Sequence, residues 1–302
     1  MGRNTKTWLW IAVCLILAGC IIWGGAMTVL KWDFKRLSTV KYETNHHQIE
    51  EDFRNITIIT NTADITFVLS EDGNYAVSCH EQENANHRVA VKDGELVIEL
   101  VDTRKWYEHL GIGFDCPNIT VHLPQGAYGK LSIQASTGDI HMPKDLFFES
   151  ADISVSTGDI TLLSSVLETA NVKTTTGKIT VANVNCMGDL SVKVSTGKAK
   201  ISNVTCRNLT SSGTTGDVSL ENVIAKESLS IERSTGDIEL DRCDAQLIHL
   251  KTDTGDVEGT LLSEKVFSAE TKTGDVDVPK TTTGGKCEIR TDTGDIEIEI
   301  VR

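Results

Sequence analysis

From about residue 131 onward, apolar and polar positions alternate in short runs that break and resume at a nearly constant interval. The breaks are Thr-Gly steps with glycines at Gly138, Gly158, Gly177, Gly197, Gly216, Gly236, Gly255, Gly274 and Gly294, each 19 or 20 residues after the last. Seven and five residues before a glycine stand pairs such as Leu131 and Ile133, Ala151 and Ile153, Leu190 and Val192, or Ile248 and Leu250. Two residues after it stand Ile140, Ile160, Ile179, Ala199, Val218, Ile238, Val257, Val276 and Ile296. Alternation of this kind predicts a β-strand on each side of every glycine.

Parity then fixes the role of the glycine. From five before it to two after it is an odd step, so one uninterrupted strand would turn its second apolar set outward. The chain must bend there. A residue without a Cβ can occupy backbone regions that cost other residues about 1–2 kcal/mol, and the adjoining Thr and Asp side chains can bond to turn amides. A third apolar position seven after the glycine, at Val184, Val204, Val223, Cys243 and Leu262, predicts another short element before the next rung.

Each rung buries too few side chains to stand alone, and stacking supplies the missing core, as in solenoids. The predicted fold is all-β: a parallel β-helix of about nine to ten rungs preceded by one N-terminal transmembrane α-helix. The segment "FRNITIITNTADITFVLSED" at 53–72 repeats the layout with Ala63 in the glycine position, as a diverged first rung. Strands are expected at 75–80, 87–91, 95–101 and 118–123, forming an N-terminal cap. At the other end Glu297 and Glu299 alternate with isoleucine, as a charged guard on an exposed edge would.

The stretch "WLWIAVCLILAGCIIWGGAMTVL", from Trp8 to Leu30, carries no charge and is long enough to cross a bilayer. Tryptophans at 8, 10, 23 and 32 mark its ends. "LAGC" at 17–20 resembles a lipobox that would make Cys20 a lipidated N-terminus. A cleaved signal peptide is the other alternative. The apolar run continuing past Cys20 favours an uncleaved span. Basic residues flank both sides, and long domains translocate largely regardless of charge, so the C-terminal part is expected outside the cell membrane of a single-pass protein. The expected organisation is a tail at 1–7, the helix at 8–30, a stalk at 31–50, the diverged rung and cap at 51–130, and the repeat solenoid at 131–302.

The net charge is −14 over 302 residues, and residues 37–302 alone carry −18. Such a domain is repelled by nucleic acid. Aromatic residues make up 5% of the chain and are nearly absent after Tyr128, which removes the platforms on which sugar-cleaving β-helix enzymes stack their substrates. No catalytic motif such as HExxH or GxSxG is present. No cofactor is expected.

Three features remain as candidate chemistry. The aspartates Asp139, Asp159, Asp217, Asp237, Asp256, Asp275 and Asp295 follow their glycines and should stack about 4.8 Å apart, where neighbouring carboxylates repel by about 1 kcal/mol even at the dielectric of water. Calcium between rungs would relieve this, most directly at Asp217, Asp237, Asp256, Asp275 and Asp295. Turn amides would relieve it as well, and Lys178 and Lys198 interrupt the column where a required metal site would not tolerate them. The cluster "RKWYEHLGIGFD" at 104–115 offers Trp106, Tyr107 and Phe114 either as a lid on the solenoid end or as a partner contact. Cys79, His80, His87, His109 and Cys116 fit no zinc spacing, and Cys186 and Cys206 should stack, as free thiols or as a disulfide.

The STGDI, STGKI and DTGDV rungs after a hydrophobic N-terminus resemble the bacterial membrane-anchored β-strand-repeat family labelled "putative adhesin", over residues 50 to 302. The resemblance implies a cell-surface solenoid without catalytic residues. Together these readings point to a membrane-anchored, extracytoplasmic, non-catalytic solenoid that presents an acidic surface to a cell-wall polymer or surface protein. The alternatives are a carbohydrate-active β-helix enzyme, lyase or hydrolase, and an envelope scaffold that self-associates through its C-terminal edge.

Overall fold

A computed structural model describes residues 3–33, 38–106, 108, 113 and 115–301, with side chains from Thr7 onward. Helix Arg3–Val29 is followed by strands alone, which form a β-solenoid of about nine turns. The apolar segment Thr7–Val29 is long and apolar enough to cross a membrane, and apart from Gly24 and the buried Met27 its residues are exposed.

One turn shows the construction. Strand Phe147–Thr157 runs to the corner at Gly158, and Ile160–Leu162 leaves it. The following turn repeats this with Ser165–Thr176, Gly177 and Ile179–Ala182. The two turns pair in parallel, with Ile153 opposite Val172 and Ile160 opposite Ile179. Like therefore stacks on like, and a repeat of 19 or 20 residues is one circuit of the backbone. Leu131, Ile133, Ile153, Ile160, Ile179, Val192 and Val218 are all within 1% of complete burial.

Four successive turns have a second corner that the alternation does not announce, at Asn183, Asn203, Asn222 and Arg242. Asn183, Asn203 and Asn222, six residues after their glycines, adopt φ of 58°, 52° and 51°, a left-handed conformation in which asparagine is enriched. Their amides join in a column, Asn203 Nδ2 donating to Asn183 Oδ1 and Asn222 Nδ2 to Asn203 Oδ1, each at 3.2 Å. Beyond this corner Val184, Val204, Val223 and Cys243 turn inward. Leu262 does not follow them. Gly259 shifts that turn by one residue, so Leu261 pairs with Cys243 and is buried in its place.

The order of turns departs from chain order at both ends. Strand Gly285–Thr293 pairs on one side with Leu247–Lys251 and on the other with Lys265–Thr273. Strand Ile296–Ile300 likewise lies between Val257–Leu261 and Val276–Asp277. Residues 265–277 are thus outermost, and the strand holding Glu297 and Glu299 is not the edge guard expected from sequence. Composition explains the exchange. The inserted turn offers Cys287, Ile289, Ile296 and Ile298, all at or below 3% exposure, whereas the outer one ends in Pro279, which has no N–H to give a further strand and suits an edge.

At the other end residues 55–69 are second rather than first. Ile56 faces Leu131 on one side and Leu96 on the other, and Ile65 faces Ile140 and Ile119. The outer layer is built from Glu95–Asp102 and Asn118–Leu123. It is covered by antiparallel strands: Tyr75–Gln82 on Asn118–Leu123, Ala85–Lys92 on Glu95–Asp102, and Tyr42–Ile49 on Tyr75–Gln82. Phe67, Tyr128 and Phe148 fill the core beneath this cap, Phe148 lying 5.7 Å from Tyr128 and 6.4 Å from Phe67 between ring centroids.

Candidate functional site

The glycine corner is the most regular feature of the molecule. Every one of the nine glycines has φ between 117° and 148°, a region that only glycine occupies without strain. Close approach adds a second reason. A Cβ on Gly177 would lie 2.1 Å from the carbonyl oxygen of Gly158, and one on Gly158 would lie 2.1 Å from that of Gly138. Ala63 escapes the rule because it stands first in the column. Its own φ is not positive, its methyl group is buried, and its carbonyl oxygen is the one that a Cβ on Gly138 would meet, at 2.0 Å.

The aspartates run alongside in the same column, and their carboxylates bond to backbone. Asp139 Oδ1 accepts the amide of Asp159, and Asp159 Oδ1 accepts that of Lys178, at 2.8 and 2.7 Å. Asp217, Asp237, Asp256, Asp295 and Asp275 continue the series in spatial order at 2.8–3.3 Å. Each carboxylate except that of Asp275, the last in the column, thus spends one oxygen on its neighbour's N–H, which offsets repulsion within the column. Where lysines interrupt it, Lys198 Nζ reaches Asp217 Oδ2 at 2.8 Å. That bond holds the Asp217 carboxyl below its ordinary range, against the opposing effect of burial.

Three residues before the glycine lies an inward column absent from the sequence reading. Thr174, Thr252 and Thr291 are buried there, their hydroxyls donating to the carbonyls of Gly158, Gly236 and Gly255 at 3.0–3.1 Å. Arg233 takes the same position in its own turn. Its guanidinium donates to Val194 O and Ser211 Oγ, and burial lowers its pKa to about 10. The recurrence of Thr at this offset was the available signal.

One buried cluster could hold a metal by composition. The ligand atoms of Cys79, Glu81 and His87 lie within 4.8 Å of one another. Glu81 and His87 are already bonded to each other and to neighbouring groups. His87 Nδ1 is 2.7 Å from Glu81 Oε2 and its Nε2 is 2.8 Å from Thr60 Oγ1, while Asn45 donates to Glu81 Oε1 at 2.8 Å. Burial, helped by the Glu81 charge, pushes the Cys79 thiol up to about 12. His80 is not among the three and instead stacks on Tyr42. Cys116 is exposed and, like the stacked Cys186 and Cys206, is a free thiol.

The solvent face after the glycine corner carries the densest charge. Glu239, Glu258 and Glu297 lie in one register column, with Asp277 beyond them. Glu221 and Asp241 form a second column with Thr260 and Glu299. Between the two runs a groove of about 540 Å³. Among the described residues, Glu221, Glu239, Glu258, Glu297 and Glu299 have no hydrogen-bond or ion-pair partner, unlike the aspartates of the corner. Toward the other end the first column continues as Ser219 and Lys200 and the second as Ser202, so the acid is confined to one half of the face.

Trp106 is 78% exposed, close in sequence to the ion pair of Arg104 with Asp102 at 2.6 Å. Tyr107, His109 and Phe114 lie outside the described residues.

The Toastrack DUF4097 family profile matches the chain twice, over residues 53–188 and 185–302. Among solved structures, a putative adhesin from Bacteroides fragilis is similar at 19% identity and a TM-score of 0.50, over 73% of this chain and 96% of that one. A putative adhesin from Parabacteroides distasonis aligns at 12% identity and a TM-score of 0.47, over 87% and 98%. No curated protein matches.

Proposed function

The chain belongs to the Toastrack DUF4097 family, and we propose that it is a membrane-anchored extracytoplasmic solenoid whose acidic face binds a cationic partner in the cell envelope or on another surface, without catalysis. The observation that carries this reading is the uncompensated column Glu239, Glu258 and Glu297. Stacked carboxylates one layer apart repel by about 1 kcal/mol per pair even at the dielectric of water. On the glycine corner the fold supplies amides against that cost; on this face it supplies none. A bound cationic surface would provide the missing compensation, and a rigid sheet would hold the charges in fixed rows for it.

The adhesin names of the structural neighbours support a role in attachment. The helix Thr7–Val29 supports the anchor, and the outward placement follows from the length of the C-terminal part, since long domains translocate largely regardless of charge. The buried, mutually bonded Glu81 and His87 support the non-catalytic reading, because buried groups that bond one another are not presented to a substrate.

The test is retention on cell-wall polymers and on polymers of defined charge, with new reducing ends measured in the same incubation. Binding to cationic polymer that weakens with salt, and that is lost in a Glu239→Gln, Glu258→Gln, Glu297→Gln variant, is expected. Retention unaffected by these substitutions would refute the assignment to this face. Release of reducing ends would replace it with an enzyme.

A further inference from the structure

The two ends of the solenoid are finished differently. At the N-terminal end the outer layer is covered by antiparallel strands. At the other end Lys265–Thr273 and Val276–Asp277 pair on one side only. The ladder that links every layer to the next stops there with its groups free. Gly255 N–H donates to Thr293 O, Gly294 N–H to Thr273 O, and Ile296 N–H to Asp275 O, at 2.9–3.0 Å. Among the described residues the amides of Gly274 and Val276 have no acceptor, and the Asp275 carboxylate, whose counterparts each take an amide, has no donor.

The core is open at the same place. Phe267, Ala269 and Val278 are only partly buried and Val276 is 44% exposed, whereas Cys287, Ile289 and Ile296 one layer below are 1% exposed. An unpaired edge over an apolar end is a template for another strand. What fits both at once is an edge of the same cross-section with the same free amides. In this chain the opposite end is already capped, so among the described residues the surface that matches is the open end of a second copy. Two identical ends meet by a two-fold axis, which closes the assembly at two copies and forbids a filament.

Charge supports the reversed pairing. Glu270 and Lys272 are outward neighbours on the edge strand, one residue to either side of Thr271. Lys272 Nζ already lies 2.7 Å from Asp292 Oδ2 of its own chain, and a two-fold axis through Thr271 sets Glu270 of each copy opposite Lys272 of the other, so that each Lys272 is shared between Asp292 and the second copy's Glu270. We infer that residues 265–278 form the interface of a two-fold dimer of this chain, joined end to end at its open edge.

The experiment is sedimentation of the full chain in detergent over a range of concentrations, for the wild type and for the Lys272→Glu and Glu270→Lys variants. Both positions are exposed, but Lys272→Glu also breaks the pair with Asp292, so circular dichroism and melting check the fold of each variant, and Glu270→Lys, which breaks no ion pair within the chain, decides the outcome if Lys272→Glu unfolds the edge. The wild type should dimerise and go no further. Each variant alone places like charges in opposition and should dissociate about tenfold more readily, and an equimolar mixture of the two should recover the wild-type affinity. A wild type that stays monomeric overturns the proposal, as does a series of larger species. A dimer indifferent to both substitutions places the contact elsewhere, the transmembrane helix included, and overturns it as well.

Discussion

The carbonyl oxygen of Gly138 occupies the position a Cβ on Gly158 would need, 2.1 Å from it. The same contact recurs from layer to layer, so the column of glycines is set by backbone packing between turns as well as by φ. Gly158→Ala should therefore cost roughly 3 kcal/mol or more, adding a clash to the backbone strain. Gly73, with φ of 76° but open space around it, provides the comparison. Gly73→Ala should cost about 1 kcal/mol. Denaturant unfolding of both variants measures the difference, and equal losses would remove the packing argument.

The second corner makes a separate demand. Asn203 has φ of 52°, so Asn203→Gly should be tolerated while Asn203→Val, β-branched in a left-handed conformation, should cost roughly 1–2 kcal/mol. Thermal melts of the two variants distinguish them.

Asp237 Oδ1 accepts the Asp256 amide at 2.9 Å. An asparagine keeps that acceptor and sheds the charge. Asp237→Asn should stay within about 0.5 kcal/mol of wild type, and Asp237→Ala should lose about 1 kcal/mol. Calcium added to the wild type should leave its melting temperature unchanged. A rise that disappears in Asp237→Asn would make the column a cation site instead.

Asp217 carries a pH signature. Its hydrogen bond from Lys198 lowers the folded pKa below the ordinary 3.8. Between those two values the unfolded chain binds the proton more readily than the folded one. The stabilisation is complete above the unfolded value and is lost as pH falls through the folded one. Lys198→Met should flatten the decline in stability below about pH 4, read by melting over an acid pH series.

Thiol accessibility tests the burial of the core. Burial pushes Cys206 and Cys287 up to about 12 and Cys243 to about 11, and all three side chains are buried. With a water-soluble alkylating reagent near pH 8, Cys116 should label in the native protein while these three label only on unfolding. Mass mapping of the adducts reports it, and rapid native labelling of Cys206 would contradict the packing described.

The acidic columns, the cap and the open edge show how far linear pattern reaches. Glu239, Glu258 and Glu297 each stand three residues after a glycine, so their offsets were readable, yet nothing in that offset says that they lack partners while Asp237 and Asp256 have amides. The Cys79, Glu81 and His87 trio comes from strands whose antiparallel register no repeat encodes. The asparagine corner and the buried threonines were present as constant offsets and went unread, because polar residues on an alternating strand count as outward until a bend reverses the parity.

The sequence alone determined the unit of this protein: a glycine every 19 or 20 residues, with apolar pairs on fixed sides of it, dictates one backbone circuit and like-on-like stacking, since both follow from local sterics and burial. It also determined the apolar helix and the excess of acid. Only the tertiary structure decided the order in which the turns stack. Any layer can pair with any other at almost the same local energy, so the choice falls to small differences between whole turns. The isoleucine-rich turn at 285–300 gains most from two neighbours, and the proline-ended turn at 265–277 loses least by having one.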